Sequence, residues 1–142
     1  MPVWLNQARE LSEYWIHRQQ LLDALGRSND LRPDLLAPVL DALRWAYPYR
    51  LAAVEGADGD AVSIEICGPV EVSWHLVRRE AIWDFEEIGR TGRATIRLST
   101  KQAWRLLTNN LDSVERQNLR TSGDPKFVDA VLATRAIIGM PK

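Results

Sequence analysis

This sequence lacks disulfide potential, a surplus of one charge and any long apolar run. Its 142 residues include a single cysteine, Cys67, which excludes an intramolecular disulfide and fits a reducing compartment. The formal net charge is −1, so there is no basic field to favour nucleic acid as a partner. No leader peptide and no run of membrane-spanning length can be recognised. We therefore expect a cytoplasmic protein with no membrane partner.

What the sequence does contain is the composition of a globular domain. Hydrophobic residues make up 46% of the chain and charged residues 26%, which suits one domain large enough to bury a core. The six tryptophans are a high number for this length, and they indicate either dense aromatic packing or a ligand pocket.

The first stretch, residues 3–26, has the pattern of an amphipathic helix. Its apolar residues recur at roughly helical spacing, and Gly26 suits a C-terminal cap. The expected inward side consists of Trp4, Leu11, Trp15, Leu22 and Leu25, with Ala8 and Ile16 widening it.

Two polar residues of this helix have the spacing of metal ligands. Glu13 and His17 are four residues apart and therefore share one face. They form either an ordinary surface ion pair or two ligands of a zinc ion, and a catalytic zinc needs three protein ligands. The other histidine, His75, is expected on the polar face of a strand, and Cys67 is expected to be a bystander at a strand end.

The rest of the chain predicts an α+β fold. It comprises two N-terminal helices, an antiparallel sheet of four to five strands with one buried face, and C-terminal helices packed on one side. The second helix is expected over residues 33–46, ended by Pro48, and Gly89 to Gly92 is expected to turn the chain between the third and fourth strands. The remaining expected elements are strands near 62–66, 70–76, 81–88, 94–98 and 119–122, and helices near 100–109, 112–118 and 125–138.

Several motifs in order resemble one enzyme family, the mycothiol-dependent maleylpyruvate isomerases. The first helix, with Glu13-Tyr-Trp-Ile-His17, resembles the last helix of that family's DinB-like bundle. The later motifs resemble its sterol-carrier-like C-terminal domain. The resemblance implies two parts, residues 1–27 and 28–142. The later motifs are Ala103-Trp-Arg-Leu-Leu-Thr108, Gly123-Asp-Pro125, Ala130-Val-Leu and Ala136-Ile-Ile-Gly139.

The resemblance also implies a site. Glu13 and His17 match two of the family's three zinc ligands, whereas the third, a histidine on an earlier helix, has no counterpart in this chain. A family arginine falls on Thr108-Asn109-Asn110 here, where an amide cannot clamp a carboxylate as arginine does. Mycothiol is implied as a cofactor by resemblance alone. Sterol-carrier-like domains suggest that Trp74, Trp83 and Trp104 line an apolar pocket, whereas packing in the plain core is the simpler alternative.

Three hypotheses about function follow. In the first, a truncated family member binds a small apolar or acidic molecule, or acts as a scaffold, without a complete catalytic site. In the second, a metal-dependent isomerase or transferase that uses a thiol cofactor is completed by a dimer mate or partner chain covering residues 3–26. In the third, the first helix is a structural dimerisation module.

Overall fold

The computed structural model describes the backbone of residues 3–136 and the side chains from residue 6 onward. Six helices and five strands form this part of the chain. In order they are α1 (Val3–Ala24), α2 (Pro33–Leu43), α3 (Ala46–Leu51), β1 (Ala61–Cys67), β2 (Val72–Arg79), β3 (Ile82–Glu86), β4 (Ala94–Ser99), α4 (Thr100–Leu107), α5 (Ser113–Gln117), β5 (Arg120–Gly123) and α6 (Pro125–Leu132).

The fold is α+β, as predicted, with one five-stranded sheet in the order β3-β2-β1-β4-β5. Neighbouring strands run antiparallel except for β1 and β4, which are parallel. The sheet is therefore mixed, and the expectation of a wholly antiparallel sheet is wrong at this one pairing. The physical reason is that the chain crosses over two strands after β3 instead of turning back beside it.

The crossover consists of residues 87–93 and lies against β2 and β1. A Cβ added at Gly89 would lie 2.5 Å from Cε1 of His75, and one added at Gly92 would collide with the carbonyl oxygen of Ala61. The two glycines therefore let the backbone lie directly on the sheet. The hairpin turn expected at this place does not form.

One face of the sheet is buried beneath the helices, and the alternation predicted for the strands is confirmed. Val62, Ile64 and Ile66 of β1 are buried, whereas Ser63 and Glu65 between them are only half-buried. Leu76 of β2 and Ile96 of β4 extend the same core.

The second predicted helix proves to be two helices. α2 ends at Leu43, and α3 begins at Ala46 with Pro48 in its first turn. The amide groups of a first turn have no partner within the helix, so a proline is tolerated there. Pro48 therefore lies near the start of a helix and does not end one, and the chain has three helices before the sheet.

The buried side of α1 agrees with the predicted one only in part. Trp15 and Ile16 are buried, as predicted, but the polar residues Ser12 and Gln19 are buried as well, whereas Leu11 is exposed. Ser12 Oγ donates to the Ala8 carbonyl at 2.7 Å, and the side-chain oxygen of Gln19 accepts from the Asp30 amide at 2.7 Å. These two bonds give buried polar side chains a partner, while Nε2 of Gln19 has none within the described residues, so burial does not follow the hydrophobic pattern. Leu25 is also exposed and Leu22 half-buried, while the side chain of Trp4 lies outside the described residues.

The C-terminal elements follow their capping residues. Ser99 and Gln102 form a reciprocal capping box at the start of α4, and Asp112 caps α5. β5 is the edge strand expected near residues 119–122, and α6 ends at Leu132, earlier than predicted. Ile138 lies outside the described residues. Among the helices described, none combines the length and apolar character needed to cross a membrane.

Candidate functional site

The three tryptophans predicted to line a pocket are buried in the core, but each packs in a different aromatic pair. Trp74 lies 5.8 Å from Tyr47 between ring centroids, Trp83 lies 5.9 Å from Phe127, and Trp104 lies 5.1 Å from Trp15. The tryptophans thus share one face of the sheet without forming a single aromatic wall. A common pocket lined by all three stays a prediction.

The pair formed by Tyr47 and Trp74 carries a buried hydroxyl without a hydrogen bond in the described part of the chain. The other two pairs likewise carry indole nitrogens without one, those of Trp15, Trp83 and Trp104. Tyr47 projects from α3 onto β2 and is fully buried, and its hydroxyl makes no hydrogen bond with any residue in the described part of the chain. Burial raises the pKa of Tyr47 far above its ordinary value, and the nearby charge of Arg135 opposes this increase. A fully buried hydroxyl without a partner is uncommon and costs about 1–3 kcal/mol.

Arg135, which follows α6, lies near this hydroxyl, and two further arginines lie near Arg135. We call the three the arginine corner: Arg50 of α3, Arg116 of α5 and Arg135. Burial lowers the pKa of Arg135 first, and the positive charges of Arg116 and Arg50 lower it further. Arg135 is held in place because its Nη1 donates to the carbonyls of Leu132 at 2.7 Å and Thr134 at 2.8 Å. A half-buried guanidinium therefore faces two like charges.

The three residues of the arginine corner differ from most other arginines of the chain in their lack of ion pairs with described carboxylates. Within residues 3–136, no carboxylate forms an ion pair with its three members. The surplus of positive charge makes this corner suited to an anion. The arginines that do form ion pairs are Arg18, Arg32, Arg44, Arg78, Arg79, Arg90, Arg93, Arg97 and Arg105.

An arginine also lies where the sequence comparison placed an amide. Arg135 Nε donates to the Asn109 side-chain oxygen at 3.2 Å, just beyond the end of α4. The backbone amide of Ala136 donates to the Leu107 carbonyl at 2.8 Å, which fixes the segment after α6 against this helix end. Residues 108–110 therefore lack an arginine of their own but have one beside them, supplied by a distant part of the chain.

The predicted metal ligands Glu13 and His17 are both exposed on α1. His17 Nδ1 lies 3.2 Å from the side-chain oxygen of Gln20 on the same helix. No group of three residues able to hold a metal ion occurs in the described part of the chain. Two donors are fewer than a zinc site needs, so Glu13 and His17 do not make one within a single chain.

The remaining candidates lie away from the arginine corner. His75 is half-buried on the face of the sheet opposite the core, where its Nδ1 lies 2.9 Å from Ser63 Oγ beneath the crossover. Cys67 is exposed at the end of β1. Neither residue is placed beside the other predicted site residues.

Among the comparisons with known proteins, only the comparison with solved structures found matches. No family model matches the chain, and no curated protein matches it. The chain is similar to sterol carrier protein 2 like 2 from Aedes aegypti, with 12% identity and a TM-score of 0.46, over 66% of this chain and 93% of that one. It is also similar to a UbiJ-SCP2 ubiquinone synthesis protein, with 20% identity and a TM-score of 0.45, over 71% of this chain and 92% of that one. The resemblance to maleylpyruvate isomerases stays a prediction.

Sequence reasoning missed Tyr47 and the arginine corner. Tyr47 was assigned to a connecting segment, and the three arginines come from three distant parts of the chain. A weak local signal was present: neither Arg50 nor Arg135 has an acidic residue three or four positions away. Such an arginine cannot form an ion pair with a neighbour on its own helix, so its guanidinium is available to a residue or ligand that is distant in the sequence.

Proposed function

We propose that this protein binds a small molecule with an apolar body and a negatively charged group. The charged group binds at the arginine corner, and the apolar body packs against Tyr47 and Trp74. The observation that carries the proposal is positive charge near a buried hydroxyl, with no ion pair for the one and no hydrogen bond for the other among the described residues.

The energetics favour an anion over a neutral ligand. Arg135 is partly desolvated and faces Arg116 and Arg50, so an anion would relieve repulsion while accepting charge-assisted hydrogen bonds. Arginine presents several donors in a planar fork that matches a carboxylate or a phosphate. The Tyr47 hydroxyl can donate one further bond, which would remove the cost of burying it unpaired.

A matched pair of fluorescent probes tests the proposal. We choose 8-anilinonaphthalene-1-sulfonate and its neutral analogue N-phenyl-1-naphthylamine, which share an apolar body and differ in the sulfonate. We expect the native protein to bind one anionic probe per chain and to bind the neutral probe more weakly. Arg116→Gln should weaken binding of the anionic probe about tenfold and leave the neutral probe unaffected.

The control is Arg120→Gln, which removes an exposed arginine of the edge strand β5 that is not part of the arginine corner. It should leave both affinities unchanged, because only the net charge differs. Failure of the native protein to bind the anionic probe would contradict the proposal. Equal losses of affinity for the anionic probe in Arg116→Gln and Arg120→Gln would contradict it as well. They would show that the probe responds to the net charge of the protein and not to the arginine corner.

The proposal contains no catalytic step. Binding without turnover also agrees with the first of the three hypotheses drawn from the sequence. Isomerase activity and the use of mycothiol stay predictions of that resemblance.

A further inference from the structure

The outward side of α1 carries a row of large apolar side chains, which we call the α1 stripe: Leu11, Tyr14, Leu21 and Leu25. Their exposed fractions are 42%, 72%, 61% and 61%. Trp15 and Ile16 anchor the same helix to the core from another side, so the stripe does not serve the packing of this domain. Contiguous exposed apolar residues of this size mark an interaction surface.

The spacing of the α1 stripe fits a second helix. Together with Arg18 in the middle, its residues follow one another at intervals of three, four, three and four. This is the seven-residue repeat by which two helices interlock side chains along a common seam. The stripe ends at the turn where Gly26 takes a positive φ of 67°, so it uses most of the helix.

Charge distribution indicates that the second helix is α1 of another copy, running in the opposite direction. Arg18 lies midway between Leu11 and Leu25, so a two-fold axis there places each of these leucines opposite the other. The same axis places Glu10 of one copy and Arg27 of the other at nearly the same level along the pair, and it does so twice. Both residues are exposed, and neither forms an ion pair within the described residues.

Arg18 is the one residue of the seam that weakens it. Two copies of Arg18 would approach each other at the axis, which is unfavourable. The contact of 3.5 Å between Arg18 Nη1 and Asp30 of its own chain offsets part of this charge. The interface is accordingly expected to be reversible.

We propose that two copies of this chain associate through the α1 stripe as an antiparallel, two-fold helix pair. This inference is independent of the ligand proposed above, because it uses a different surface and no residue of the arginine corner.

The test is the mass in solution of the full chain, measured by sedimentation over a range of concentrations. Leu21→Glu places a charge in the seam and should weaken the dimer at least tenfold, and Arg18→Leu should tighten it by a similar factor. Ile88→Glu is the matched control, because Ile88 is also highly exposed but lies outside α1, and it should have no effect. A native protein that stays monomeric at millimolar concentration, or a dimer insensitive to Leu21→Glu, would overturn the proposal.

Cross-linking decides the direction of the pair. In a Cys67→Ser background, Arg18→Cys lies at the proposed axis and should form an intermolecular disulfide. Gln7→Cys, near one end of the helix, should not, because an antiparallel pair separates the two copies of residue 7. Efficient cross-linking through Gln7→Cys would mean a parallel pair and would overturn the antiparallel arrangement.

Discussion

At the scale of single residues, the Tyr47 hydroxyl is expected to lower the stability of the ligand-free protein and to strengthen ligand binding. Its buried hydroxyl makes no hydrogen bond in the described part of the chain, so Tyr47→Phe removes a group that is unfavourable in the ligand-free protein. We expect the variant to unfold at a higher temperature, by about 3 °C for a gain of about 1 kcal/mol. The same variant should bind the anionic probe more weakly, because one donor is lost. Calorimetry and a probe titration measure the two effects.

Tyr49→Phe is the matched control for this variant. Tyr49 is highly exposed on the same short helix, so its hydroxyl is solvated in both the folded and the unfolded chain. Tyr49→Phe should change neither the unfolding temperature nor the affinity for the anionic probe. A Tyr47→Phe variant that is less stable than the native protein would show that the hydroxyl has a partner.

Tyr47 should also make stability depend on alkaline pH. Burial raises the pKa of its hydroxyl in the folded chain, whereas in the unfolded chain the hydroxyl has the ordinary tyrosine pKa of about 10. Above that pH the unfolded state binds fewer protons than the folded state, so stability falls as pH rises, by up to about 1.4 kcal/mol per pH unit. Urea unfolding at several alkaline pH values should show a steeper decline for the native protein than for Tyr47→Phe. An equal decline of stability with pH in the two proteins would show that Tyr47 is not the cause of the pH dependence.

At the scale of elements, the crossover between β3 and β4 depends on Gly92. A Cβ there would collide with the carbonyl oxygen of Ala61, which accepts the Arg93 amide at 2.7 Å. Gly92→Ala should therefore lower the free energy of unfolding by about 2 kcal/mol, since the colliding atom belongs to the backbone of a central strand. Thr91→Ala changes an exposed side chain in the same segment and should cost little. Equal midpoints of chemical unfolding for the two variants would refute this role of Gly92.

The elements also show what sequence patterns can and cannot predict. Strand alternation was predicted correctly because a period of two says which residues face the core. It does not say which strands are neighbours, so the parallel pairing of β1 with β4 was missed. The starts of α4 and α5 were predicted to within one residue because the capping residues that fix them, Ser99 and Asp112, act locally. The buried side of α1 was misassigned because Gln19 finds a partner in the loop after the helix.

The candidate site was the least predictable part, because its residues meet only through the packing of distant parts of the chain. Trp74 could be selected by residue type, and the structure gives it Tyr47 as a neighbour. Arg50, Arg116 and Arg135 come together only through the packing of α3, α5 and the end of α6, and no local pattern in the sequence encodes that meeting.

At the scale of the whole molecule, the predicted zinc ligands and the α1 stripe can be tested together. Glu13 and His17 supply two donors, and two donors hold zinc weakly, but a two-fold axis duplicates every ligand. Any stoichiometric zinc should therefore be confined to the dimer, at about one ion per two chains. Metal analysis of the native protein, Leu21→Lys and His17→Ala measures this, because lysine places a charge in the seam without adding a carboxylate one turn from His17. Zinc retained by monomeric Leu21→Lys would contradict a shared site, because a single chain would then hold the ion with donors other than this pair.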